Sequence, residues 1–157
     1  MNKPNPLQPG SPAPAFSTTD QDGKTHTNQT LLGTRYLLYF YPRDLTPGCT
    51  TEACALRDEH EHFAKLNTLV FGISPDGEKS HRKFIDKHSL PFSLLVDEDH
   101  AIAEAFGVWG EKKFMGRTFD GVHRMSFLIG TDGKIEKTYA KVKPAEHAQQ
   151  VLTDLQG

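Results

Sequence analysis

The stretch Tyr36-Leu37-Leu38-Tyr39-Phe40-Tyr41-Pro42 runs through the loop Arg43 to Pro47 into Gly48-Cys49-Thr50-Thr51-Glu52-Ala53-Cys54. Its first half is an unbroken apolar and aromatic run. That is the pattern of a strand buried on both faces, as in a parallel sheet. Pro42 ends it. Thr46 then reads as an N-cap with Pro47 at the first helical position, and a helix is expected from near Gly48 to Leu66. A buried strand that turns at once into a helix is the opening of a βαβ unit.

The unit repeats downstream. Thr68 to Ser74 is a second buried strand, Lys79 to His88 a helix carrying Phe84 and Ile85, and Phe92 to Val96 a third strand. Asp97 or Asp99 is placed to cap a helix over His100 to Phe106, with Gly107 at its C-terminal stop. Trp109 to Val122, punctuated by Gly110, Gly116 and Gly121, reads as loop. Arg124 to Gly130 and Lys134 to Ala140 flank Thr131-Asp132-Gly133, a hairpin turn, and Pro144 to Leu155 closes the chain as a helix. Upstream, Asp22-Gly23 centres a hairpin over Phe16 to Thr27, and a helical turn is expected at Gln29 to Leu32, stopped at Gly33. Five prolines among residues 1–14 predict an extended arm. Strands alternating with helices imply a largely parallel sheet with right-handed crossovers, and the late hairpin adds an antiparallel edge. The expected fold is therefore α/β and thioredoxin-like: a central mixed sheet flanked by helices, with an N-terminal hairpin. No internal boundary is visible, so one domain over 1–157 is expected.

Composition narrows the function. Apolar residues are 36%, charged residues 24%, and the net charge is −2. There is no clustered basic excess of the kind that nucleic acid or an anionic membrane demands. No window approaches the ~18 apolar residues that cross a bilayer, and no secretory apolar region opens the chain, so a cytoplasmic protein is expected. Only two cysteines occur, Cys49 and Cys54. In a reducing compartment a close pair is more often redox-active or metal-binding than structural, and two thiolates need histidine partners to make a zinc site.

Cys49 falls in the first helical turn, where backbone N–H groups lack helical partners and the helix dipole is positive. Both favour the thiolate, the nucleophilic form. Cys49 lies on the stripe of Ala53, Leu56, His60, Phe63 and Ala64, which is expected to face the core. Cys54 lies about 140° around the helix from Cys49, with Cα atoms roughly 8–9 Å apart. A disulfide tolerates about 7 Å. The two should stay unbonded while this helix is intact, and joining them requires the turn to unwind. The residues alone leave alternatives open. Cys49 could pack as an inert small hydrophobe, Cys54 could be an incidental surface cysteine, Thr46 only a cap and Pro42 only a strand stop.

At this point a resemblance enters. Pro42-x3-Thr46-x2-Cys49 resembles the active-site signature of peroxiredoxins, with Glu52 at the usual offset, and Cys54 five residues on matches the Q-type or bacterioferritin comigratory protein subfamily. Tyr39-Phe40-Tyr41-Pro42, Phe71-Gly72-Ile73-Ser74, Phe106-Gly107-Val108-Trp109-Gly110-Glu111-Lys112 and Arg124-Met125-Ser126-Phe127-Leu128-Ile129 resemble further blocks of that subfamily. The resemblance implies a thiol peroxidase with Cys49 as peroxidatic and Cys54 as resolving cysteine. It implies that the Thr46 hydroxyl contacts thiolate and peroxide, that Arg124 polarises the peroxide, that Pro42 shields the site, and that Glu52 supports it. It further implies hydroperoxide as substrate, thioredoxin as reductant, a monomer, and no metal or organic cofactor. The proximity of Arg124 to Cys49 rests on the resemblance, because 75 positions separate them.

Two other classes remain beside it. A dithiol–disulfide oxidoreductase is compatible with the fold but usually carries Cys-x-x-Cys. A redox sensor would show the same oxidation without sustained turnover. Among the histidines, His60 is expected to be packed and hydrogen-bonded, His62 to point elsewhere, and His100 and His123 to be loop or cap residues. No zinc spacing is present. Asp97-Glu98-Asp99 reads as helix capping rather than a cation loop, Glu111-Lys112-Lys113 as a solvated face, and Trp109 with Phe114 to Phe119 as packed apolar surface.

Overall fold

A computed structural model describes residues 3–157. The strand of the opening stretch, β3 (Arg35–Phe40), pairs in parallel with β4 (Thr68–Ser74), which pairs in parallel with β5 (Ser93–Val96). On its other side β3 meets β8 (Met125–Ile129) antiparallel, and β9 (Ile135–Tyr139) closes that edge. The sheet order is β5-β4-β3-β8-β9, the mixed thioredoxin-like arrangement. The N-terminal hairpin forms from β1 (Ser17–Thr19) and β2 (Thr25–Thr27).

Alternation along β3 sorts the core into two layers. Leu37, Tyr39 and Tyr41 face one side with residues from α1 (Pro47–Asp58), α3 (Glu78–His88) and α5 (His147–Gln156). Tyr36, Leu38 and Phe40 face the other, against α4 (Ala101–Phe106), Phe16, Val108 and Val122. An apolar run with no polar interruption is what two buried faces require. The Pro-rich arm is held by backbone bonds, Asn5 N–H to Gly107 O at 2.8 Å and Gly10 N–H to Ile135 O at 2.8 Å among them.

Three expectations are corrected. The helix from Gly48 to Leu66 is two helices, α1 and α2 (His60–Lys65), interrupted at Glu59. The restart resets the helical phase: Leu56 and Phe63 stay in the core while Ala64, expected on the buried stripe, turns to solvent. The segment read as loop is a hairpin, β6 (Trp109–Phe114) with β7 (Arg117–Val122). Its turn residues Met115 and Gly116 both have positive φ, 50° and 78°, as a two-residue primed turn requires. A methionine in that position gives no turn signal, and a hairpin exposed along most of its length carries no alternating pattern. Nor does its tip pack: Phe114, Met115 and Phe119 are exposed.

Helix α4 is capped as its sequence suggested. The Asp97 carboxylate accepts the Ile102 and Ala103 N–H groups at 3.0 and 2.9 Å, and Asp99 accepts from Ala101. His100 takes a left-handed conformation at the N-cap position and stacks on Trp109, ring centroids 3.7 Å apart.

Candidate active site

Helix α1 begins directly beyond the carboxyl end of β3, with Pro47 at its first position. The first helical bond runs from Thr50 N–H to Thr46 O, 2.9 Å. Cys49 therefore lies among the N–H groups that no helical carbonyl satisfies, and it is 2% exposed. The side chain of Thr46 does not cap the helix. Its hydroxyl donates to Arg43 O at 2.8 Å, folding the preceding loop on itself. Pro42, half-buried, lies between strand and loop.

The loop is pinned from below. Asp44 accepts the Tyr41 hydroxyl at 2.5 Å, the Ser80 hydroxyl at 2.8 Å and faces His81 Nδ1 at 2.7 Å. Asp44 and His81 are buried. One carboxylate thus ties the end of β3, the loop and α3 together, and holds Leu45 at a φ of 64°.

Sheet register delivers the arginine. Phe40 lies opposite Met125, so the preceding residue, Arg124, stands beside the end of β3 where α1 starts. Its Nη2 donates to Cys49 Sγ at 3.1 Å and its Nη1 to Glu52 Oε1 at 2.7 Å. The guanidinium lies close against the helix start: a Cβ on Gly48 would come within 3.2 Å of Nη2. Glu52 is fully buried. Burial pushes its carboxyl up to about 7 against the pull of Arg124. A fork with one arm on a carboxylate and the other on the sulfur is fixed in direction, and its charge stabilises a thiolate there.

Cys54 is partly exposed, on the flank of α1, and both cysteines are free in a helix that runs unbroken across them. Their separation on an intact helix permits nothing else.

Three further residues surround the site without having been singled out for it. Tyr39 is buried with no partner for its hydroxyl among the described residues, and burial together with the nearby Glu52 and Cys49 charges raises it well above the usual tyrosine range. Gly72 makes room for that ring, since a Cβ there would lie 2.8 Å from its hydroxyl. Lys112, expected on a solvated face, folds inward instead. Its ammonium donates to Val122 O at 2.8 Å, and burial and the Arg124 charge lower it. Its stem crosses Gly121, where a Cβ would meet Lys112 Cδ at 3.0 Å; nothing in the sequence of a segment read as loop signals that approach. His88 approaches Cys54, Nδ1 to Sγ at 3.8 Å; no local pattern joins residues so far apart in the chain. His60, expected to be hydrogen-bonded, has a buried Nδ1 without a partner among the described residues.

Comparison with known proteins gives the family. The AhpC/TSA family model matches residues 9–138. Peroxiredoxin Bcp of Escherichia coli is 50% identical over 148 residues, covering 94% of this chain and 95% of that protein. Peroxiredoxin Bcp of Bacillus subtilis is 45% identical over 149 residues, 95% of each. Among solved structures, a bacterioferritin comigratory protein of Xanthomonas campestris, studied for alkyl peroxide reduction, superposes with a TM-score of 0.86 at 32% identity and covers 98% of both chains. On these likenesses the chain belongs to the AhpC/TSA family and, within it, to the Bcp/PrxQ peroxiredoxins.

Proposed function

We propose that this peroxidase reduces hydrogen peroxide and alkyl hydroperoxides at Cys49, resolves the product through Cys54, and is recycled as a monomer by thioredoxin or a similar dithiol in the cytoplasm. The observation that carries the reading is the Arg124 fork, 3.1 Å from Cys49 Sγ and 2.7 Å from Glu52. The Cys49 thiolate attacks the terminal oxygen of the hydroperoxide. The O–O bond breaks, the sulfur becomes a sulfenic acid, and the departing alkoxide takes a proton from water to leave as alcohol. Arg124 donates to the negative charge as it passes from sulfur to leaving oxygen, in a site that needs no rearrangement to do so. The Thr46 hydroxyl spends its proton on Arg43 O, which leaves its lone pairs to accept the O–H of the peroxide. Pro42 shields the loop. The whole chain acts as one domain.

Attack by Cys54 on the sulfenic sulfur gives a disulfide and water, and requires the first turns of α1 to unwind. Peroxide-dependent NADPH oxidation with thioredoxin and its reductase tests the reading. Wild type should turn over with hydrogen peroxide and with tert-butyl hydroperoxide. Absence of turnover with thioredoxin but activity with another dithiol would remove thioredoxin alone; sustained activity of Cys49→Ser would remove the mechanism.

A further inference from the structure

Among the described residues the sulfur of Cys54 finds a hydrogen-bonding neighbour in Nδ1 of His88, at 3.8 Å. His88 is the last residue of α3. Its ring is set edge-on against Phe84, one turn earlier, with centroids 5.7 Å apart and planes at 89°. The same end of α3 is clasped to α1 by Arg57, whose Nη1 donates to the His88 carbonyl at 2.8 Å. Arg57 follows Cys54 by three residues, on the adjoining face of α1.

We propose that His88 is the general base for the resolving thiol, taking the Cys54 proton as that sulfur attacks oxidised Cys49. The inference rests on the reading of Cys54 as the resolving cysteine. A thiol attacks a sulfenic sulfur as its thiolate. In the tautomer with hydrogen on Nε2, Nδ1 presents a lone pair to the S–H. The step balances: the proton passes from Cys54 to Nδ1, the S–S bond forms as the S–O bond of the sulfenic acid breaks, and the departing hydroxide takes up a proton to become water. No outside oxidant or reductant enters.

The clasp decides which end of α1 must move. Arg57 ties the half of the helix that bears Cys54 to the end of α3, so Cys54 keeps its base while the turns from Pro47 to Ala53 unwind and bring Cys49 to it. The contact of Arg57 Nε with Asp58 Oδ1, at 3.0 Å, leaves the Nη1 clasp intact.

The test follows the second step alone. Reduced protein is mixed with one equivalent of hydrogen peroxide, quenched at intervals with an alkylating agent, and analysed by intact mass for sulfenic acid and disulfide. In His88→Gln and His88→Phe, sulfenic acid should form at the wild-type rate, because His88 does not touch Cys49. Disulfide should then form roughly 10²-fold more slowly, the low end of what a positioned base contributes. In His88→Ala, millimolar imidazole in solution should restore much of the lost rate, which a packing role would not allow. Unchanged disulfide formation in the glutamine and phenylalanine variants, or a loss in the alanine variant that imidazole does not relieve, overturns the role of His88 and leaves Cys54 in place. Wild-type protein that never forms the Cys49–Cys54 bond overturns the underlying reading instead.

Discussion

Replacing Glu52 with glutamine should make the protein more stable and less active at the same time. The carboxyl is fully buried and ordinarily titrates at 4.5; in the fold it is pushed up to about 7, Arg124 notwithstanding. The unfolded chain loses this proton near pH 4.5 while the native state keeps it until about pH 7, so over that window the native state binds more protons and stability falls as pH rises. At about 1.4 kcal/mol per pH unit, the ionised carboxylate costs the fold about 3 kcal/mol at pH 8 and nothing at pH 4. Glutamine keeps the shape and keeps an oxygen for Arg124 Nη1, but stays neutral. Urea unfolding of wild type and Glu52→Gln across pH 4 to 8 is the assay. The two curves should meet near pH 4 and diverge above pH 5, the variant ending the more stable by about 3 kcal/mol. Peroxide consumption by the variant at pH 8, where wild-type Glu52 is ionised, should slow, because a neutral acceptor holds the guanidinium less firmly than a carboxylate. A variant less stable than wild type at pH 8, or a gap that does not change with pH, would refute the reasoning.

Other outcomes follow from the same geometry. Arg124→Lys keeps a charge but cannot hold Glu52 and Cys49 together, and stopped-flow peroxide reduction should slow by about 10²-fold or more. Cys54→Ser should complete one peroxide turnover and stop at a sulfenic acid that dimedone traps; excess peroxide should carry it on to sulfinic acid, seen by mass. Asp97→Ala strips two backbone N–H groups at the start of α4 of their acceptor, and the urea midpoint should report a loss of about 1–2 kcal/mol.

Much of this was legible in the residues because strong physical signals were local. The run from Tyr36 to Tyr41 could only be a strand covered on both faces, and Asp22-Gly23 and Thr131-Asp132-Gly133 could hardly be other than turns. The start of α1 was readable from Thr46-Pro47, although the Thr46 hydroxyl turned out to serve Arg43 rather than the helix. What escaped depends on distant parts of the chain. The break at Glu59 carries no glycine or proline to announce it. The β6–β7 hairpin turns on Met115, a residue that ordinarily avoids positive φ. Arg124 reaches Cys49 through strand register, and Lys112, Tyr39 and His88 reach the site through tertiary packing; neither periodicity nor spacing encodes these. Only the resemblance to a family made Arg124 a candidate in advance.

The most direct test is a single-turnover measurement of tert-butyl hydroperoxide consumed by pre-reduced protein with no other reductant present, wild type beside Cys49→Ser. One equivalent of peroxide lost per wild-type chain, and none per variant chain, is the predicted result. Equal consumption by the two would show that the sulfur held by Arg124 is not where the oxygen–oxygen bond is broken.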